Sequence, residues 1–160
     1  MDSLIGLLKK HAHLSNAELA VMLGTTEQDV AKRIKELEDK EIIKGYSAIL
    51  DYNALDSNLV TAFIELKVTP QSQSGFDEIA DAICKNEQVE SVRLMSGSYD
   101  ILVEVTGVSI KDVSLFVSQN LATIDAVQST TTHFVLKNYM DNGILVSGHE
   151  EKDERGLVSP

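Results

Sequence analysis

The chain has 160 residues, 43% of them apolar, enough for one domain or two small ones. Its net charge of −11 excludes a uniformly basic nucleic-acid binder, and every apolar stretch is broken by charge well short of the roughly 20 residues a membrane-spanning helix needs. The opening MDSLIGLLKKH is acidic before it is basic and too short in its apolar part for a secretory signal; with the single Cys84 unable to form an internal disulfide, a cytoplasmic, reducing location without a membrane partner is expected.

Leu4, Ile5, Leu7 and Leu8 recur at helical spacing and predict a first helix. His11 and His13 near its end lack a third ligand, so they read as solvated helix-ending residues rather than a metal site. Ser15 to Glu41 then reads as helix, tight turn and longer helix. Ser15 and Glu18 have the spacing of a capping box, and Leu19, Ala20 and Leu23 give an apolar face. Gly24 suits the left-handed backbone that closes a helix, and Thr25 and Thr26 are both able to cap the next one. In that helix Val30, Ile34 and Leu37 form one face, with Lys32, Arg33 and Lys35 elsewhere around the cylinder. This is the layout of a helix-turn-helix, whose second helix reads the major groove. Helical hairpins that touch no nucleic acid share the spacing. Ala20 and Val30, small and apolar where the helices cross, favour the DNA-reading form.

Ile42 to Asp51 predicts a small β-wing or a connector strand around Lys44-Gly45. Lys44 there is either a phosphate contact or a solvated turn lysine. Up to Leu50 the chain carries 7 Lys/Arg against 8 Asp/Glu, and beyond it 7 against 17, so the acid lies away from the helix-turn-helix. Glu27 and Asp29 suit the helix dipole but oppose phosphate.

From Leu59 the periodicity changes. Leu59–Thr69 reads as a strand, Pro70–Gly75 as a polar loop, and Phe76, Ile79, Ala80 and Ile83 as a helix that also holds Cys84 in a structural position. Val89–Met95 and Tyr99–Thr106 predict a hairpin across Ser96-Gly97-Ser98. Ile110, Val113, Phe116, Val117 and Leu121 mark another helix, and Val127–Lys137 a last strand. The order β-α-β-β-α-β implies an α+β, ferredoxin-like antiparallel sheet with both helices on one face. Gly143–Ser147 predicts a short added strand, and His149–Pro160 a mobile tail. The expected organisation is a winged helix-turn-helix over 1–46, a connector over 47–58, the ferredoxin-like domain over 59–148 and the tail over 149–160.

SNAELAVMLG, RIKELEDKEIIKGYSAILDYNALD, MSGSYDILVEV and STTTHFVL, in this order, resemble the leucine-responsive regulatory protein/AsnC, or feast/famine, family of prokaryotic transcription regulators over about Leu4 to Ser147. The resemblance implies dimers through the second domain's sheets, assembly into octamers or other higher oligomers, and amino-acid effectors bound between subunits. The family's Gly-Asp-Tyr/Phe-Asp turn lies over Gly97-Ser98-Tyr99-Asp100, with Ser98 in place of the first acid. By the resemblance, the backbone beside Gly97 takes a carboxylate, Asp100 an ammonium, Met95 shapes the side-chain pocket, and Thr130 and Thr132 match threonines of the last strand. Gly97 as a hairpin glycine, Asp100 as a turn residue and the threonines as β-formers are the plain alternatives. The family's frequent Ser-Pro opening of the recognition helix is Thr26-Glu27 here.

A regulator with this sequence reads DNA through Thr25 to Lys35, with Gln28 and Arg33 at base edges and Lys32, Lys35 and Lys44 at phosphates. No cofactor beyond the effector is expected. One alternative is a metabolite-sensing oligomer whose DNA-binding unit has weakened. Another is an enzyme, since some haem-pathway decarboxylases resemble this family in both domains. The hairpin offers such an enzyme Arg93 but no histidine, His133 stands isolated on the last strand, and no Ser/His/Asp set, phosphate loop or Cys/His cluster is present, so no catalytic role is expected.

Overall fold

The computed structural model describes residues 3–52, 54–55, 58–69 and 75–146. They divide into two compact units, one reaching Leu50 and taking up the chain again from Met140, the other Asp51–Tyr139.

In the first unit Leu4 and Leu8 of α1 (Ser3–Lys10), Leu19 and Ala20 of α2 (Asn16–Leu23) and Val30 of α3 (Glu27–Asp39) bury one small core, with Leu23, Ile34, Leu37 and Ile43 packed against it. Local chemistry sets each helix end. The Glu18 amide donates to Ser15 Oγ at 3.2 Å while the Glu18 carboxylate accepts from the Ser15 amide at 2.8 Å, a complete capping box. At the other end Gly24 takes φ 65° and ψ 35°, and the Thr25 amide donates to the Ala20 carbonyl at 3.0 Å. That left-handed residue disfavours any side chain with a Cβ, so glycine turns the chain here at least cost. Thr26 alone caps α3, accepting from the Asp29 amide at 3.2 Å.

After α3 the expected strand is not formed. Residues 43–51 belong to no helix or strand. A strand exists only through backbone pairing, and no described segment pairs with this one. Two-residue strands β5 (Met140–Asp141) and β6 (Ile144–Leu145) pair around Asn142-Gly143, so the short C-terminal strand has a partner that periodicity did not reveal.

The second unit realises the β-α-β-β-α-β order: β1 (Val60–Val68), α4 (Gly75–Cys84), β2 (Val89–Leu94), β3 (Ile101–Gly107), α5 (Ile110–Phe116) continued by a π-helical turn (Val117–Leu121), and β4 (Val127–Phe134). The sheet is antiparallel in the order β2-β3-β1-β4. Alternation gives it two faces. Ala62, Ile64, Leu66, Val68, Ile101, Val103 and Val105 are buried against Ile79 and Ile83 of α4 and Val113 and Phe116 of α5. On the other face Phe63, Glu65, Leu102 and Glu104 are half-buried and Lys67 is exposed. Truncating a fully buried residue such as Ile64 to alanine costs about 2–5 kcal/mol through lost transfer energy and the cavity left behind.

Several boundaries differ from the sequence expectation. Gly75 opens α4 rather than closing a loop, β3 starts at Ile101 rather than Tyr99, and β4 ends at Phe134 rather than Lys137. Cys84 is exposed at the last position of α4, beyond the buried Ile83. The loop over 70–74, Ser147 and the tail over 149–160 lie outside the described residues.

Candidate functional site

Two constellations gather the side chains singled out in the sequence. On α3, Gln28, Lys32 and Lys35 stand at spacings of four and three on the side opposite Val30 and Leu37, and all three are exposed. The core contacts of Val30 therefore aim those three side chains at solvent. Arg33 lies on the flank, half-buried, with its guanidinium 3.7 Å from Asp29 Oδ2. Thr25 Oγ1 donates to that same carboxylate at 3.1 Å. Lys32 Nζ is 4.0 Å from Glu36, and Lys44 Nζ 2.6 Å from Glu41. Exposed pairs of this kind are worth about 1 kcal/mol or less. The structure thus groups Gln28, Lys32 and Lys35, joins Thr25 to Arg33 through Asp29, and leaves Thr26 as a cap and Lys44 off the helix.

The second constellation is the connection from β2 to β3. The Met95 amide donates to the Asp100 carbonyl at 2.8 Å and the Asp100 amide to the Leu66 carbonyl at 2.9 Å, so both ends of the turn are pinned to the sheet. Asp100 Oδ2 accepts from the Val68 amide at 2.9 Å, and its Oδ1 lies 3.6 Å from Lys67 Nζ. Lys67 also donates to the Ser98 carbonyl at 3.4 Å. Ser96, Gly97 and Ser98 are exposed, Tyr99 half-buried, and a Cβ built at Gly97 would meet nothing within 4 Å. The turn is open to a ligand.

Thr130 and Thr132 do not join this turn within one chain. They lie on edge strand β4 opposite Leu66 and Ile64, with β1 between them and β3, and opposed residues share a face, so they side with the buried rows. Ser129, Thr131 and His133 lie opposite Lys67, Glu65 and Phe63 on the other face. His133 is not isolated: its Nε2 lies 3.3 Å from Glu65 Oε1. Lys67 is the residue that sequence reasoning missed. One of two charges in the β-branched run Val60–Val68, the other being Glu65, was the available signal, and only the register showed what it meets.

Among the described residues no group of three or more His, Cys, Asp or Glu side chains is placed to hold a metal, and no helix is long and apolar enough to cross a membrane.

Residues 3–44 match the family of winged helix-turn-helix DNA-binding domains, and residues 61–145 the Lrp/AsnC ligand binding domain. The chain is 41% identical over 158 residues to an uncharacterized HTH-type transcriptional regulator, YugG, of Bacillus subtilis, covering 98% of this chain and 95% of that one. It is 25% identical over 144 residues to the leucine-responsive regulatory protein of Escherichia coli, covering 90% and 87%. Its fold matches that of a Neisseria meningitidis transcriptional regulator solved in complex with L-methionine, with a TM-score of 0.71 at 24% identity over 88% of this chain and 93% of that one.

Proposed function

Because the chain belongs to the Lrp/AsnC family and is a DNA-binding transcription regulator with a C-terminal ligand-binding domain, we propose that α3 reads its operator and that the turn over 95–100 takes an amino acid or related small metabolite. The observation that carries this reading is the exposed row Gln28, Lys32 and Lys35 on a helix fixed by the left-handed Gly24 turn. Gln28 meets a base edge, Lys32 and Lys35 meet phosphates, and Arg33 reaches a base on release from Asp29. Lys44 contacts the backbone beyond the helix, while Thr25 and Thr26 set its entry. Met95, Gly97, Ser98, Tyr99 and Asp100 contact the effector, with Thr130 and Thr132 supplied across a subunit boundary.

The protein acts in the cytoplasm as a homodimer that assembles further, to an octamer or other higher oligomer. The exposed Leu94, Leu136 and Tyr139 support association, since apolar side chains of that size gain most by covering one another. No cofactor other than the effector is needed. A tetrapyrrole decarboxylase is disfavoured by the position of His133, which lies on β4, separated from β3 by β1, and engages Glu65.

One observation favours a second reading, a sensing oligomer with weak DNA binding: Lys32, Arg33 and Lys44 each face an acid of the same chain. Fluorescence anisotropy against the protein's own upstream DNA and a scrambled duplex, across a salt series, separates the two. Sequence-specific binding that weakens as salt rises supports the regulator with an intact operator-reading helix. Absence of binding at low salt, with and without pooled amino acids, supports the weakened form.

A further inference from the structure

We propose that the turn over 95–100 prefers a 2-oxo carboxylate to the amino acid with the same side chain. This rests on the reading of that turn as the effector site. A ligand ammonium needs a negative group with charge to spare, and the turn has none. Asp100 is its one acid; one carboxylate oxygen accepts the Val68 amide at 2.9 Å and the other lies 3.6 Å from Lys67 Nζ. An ammonium brought against Asp100 therefore also meets the ammonium of Lys67 a few ångströms away, and at such similar distances attraction and repulsion largely cancel. Ser98, the next polar side chain, is neutral, and its carbonyl already takes Lys67 at 3.4 Å.

The groups left over are donors. None of the hydrogen bonds described uses the amides of Gly97, Ser98 or Tyr99, and no side chain crowds Gly97. Lys67 is the more accessible member of its pair, its side chain 45% exposed against 23% for Asp100. A 2-oxo acid presents a carboxylate and an adjacent carbonyl, both acceptors, and meets a surface of amide and ammonium donors. The amino acid with the same side chain replaces that acceptor by three donors, to which the turn itself offers only the Lys67-paired Asp100. The difference is one charge-assisted hydrogen bond gained and one ammonium left without a partner, roughly tenfold or more in affinity.

Isothermal titration of the full chain with matched pairs tests this: L-methionine against 4-methylthio-2-oxobutanoate, L-leucine against 4-methyl-2-oxopentanoate, L-alanine against pyruvate and L-phenylalanine against phenylpyruvate. The expected result is that, in the pair that binds tightest, the oxo acid binds about tenfold or more tightly than its amino acid. Ser98→Asp, which restores an acid to the turn, is expected to reverse the order, and Lys67→Met to weaken the oxo acid by a similar factor. Amino acids binding as tightly as or more tightly than their oxo acids overturn the preference and leave the effector site standing. Failure of both classes to bind overturns the preference and the effector reading together.

Discussion

Asp29 and Arg33 are one helical turn apart on α3, and the carboxylate of the first holds the guanidinium of the second at 3.7 Å while also accepting the Thr25 hydroxyl at 3.1 Å. A residue suited to reading bases is therefore tied, through Asp29, to the turn that precedes its own helix. Asp29→Asn removes the charge that restrains Arg33 and takes one negative charge from the DNA-facing end. Affinity for any duplex is expected to rise several-fold, and the slope of log affinity against log salt to steepen by about 0.9 if Arg33 then reaches a phosphate. Arg33→Ala is expected to lower specific affinity by about 1–3 kcal/mol while binding to scrambled DNA changes less. Anisotropy titrations measure both, and unchanged specific binding in Arg33→Ala removes this residue from the interface.

The capping box is expected to weaken in acid. The Ser15 hydroxyl and amide donate to the Glu18 carboxylate and hold it below its ordinary value of 4.5. A depressed carboxylate contributes stability above 4.5, and that contribution is lost as pH falls through the lowered value. Ser15→Ala is expected to cost about 1 kcal/mol near neutral pH. Helix content followed by circular dichroism on heating checks both, with the difference between wild type and Ser15→Ala shrinking as the pH drops below 4.5. A difference that stays constant into acid argues against the Glu18 contribution.

Gly107 ends β3 directly beneath the start of α5. A Cβ there would lie 2.7 Å from Asp112 Oδ2 and 2.9 Å from Val113 Cγ2. The Asp112 carboxylate cannot simply swing aside, because it accepts from Gln88 Nε2 at 2.8 Å and from the Val108 amide at 3.1 Å. Gly107→Ala is expected to cost about 1–3 kcal/mol by overpacking, with no direct effect on the DNA-reading face. Urea denaturation followed on the second unit gives the number, and a midpoint equal to wild type refutes the clash.

Tyr46 ties the stretch after α3 back to that helix, its hydroxyl donating to Glu38 Oε1 at 3.1 Å. Partial burial first, and the Glu38 carboxylate second, push its phenol above the ordinary 10.0. The neutral phenol is the form the fold favours, so its contribution is present below pH 10.0 and lost as pH rises through the raised value. Tyr46→Phe is expected to cost only about 0.5 kcal/mol because the pair is exposed. Ultraviolet titration of tyrosinate is expected to lose its highest-pH component in that variant; an identical curve rejects the assignment.

Short-range chemistry is legible in the residues themselves. Ser15 with Glu18, Gly24 and Thr26 set helix ends through contacts three or four residues long, and the period-two and period-3.6 patterns of Val60–Val68 and Gly75–Cys84 state which face each element buries. So the helix-turn-helix and the β-α-β-β-α-β order followed from the chain alone, whereas the sequence paired Gln28 with Arg33 and the structure instead sets Gln28 in one exposed row with Lys32 and Lys35. What depended on distant partners did not follow. That residues 43–51 find no strand partner among the described residues, that β4 lies against β1 and so separates Thr130 and Thr132 from the Gly97 turn, and that Lys67 and the Val68 amide engage Asp100 all depend on how distant segments pair. Periodicity says which side of a strand is apolar; only backbone pairing says which strand stands beside it, and therefore which charges meet.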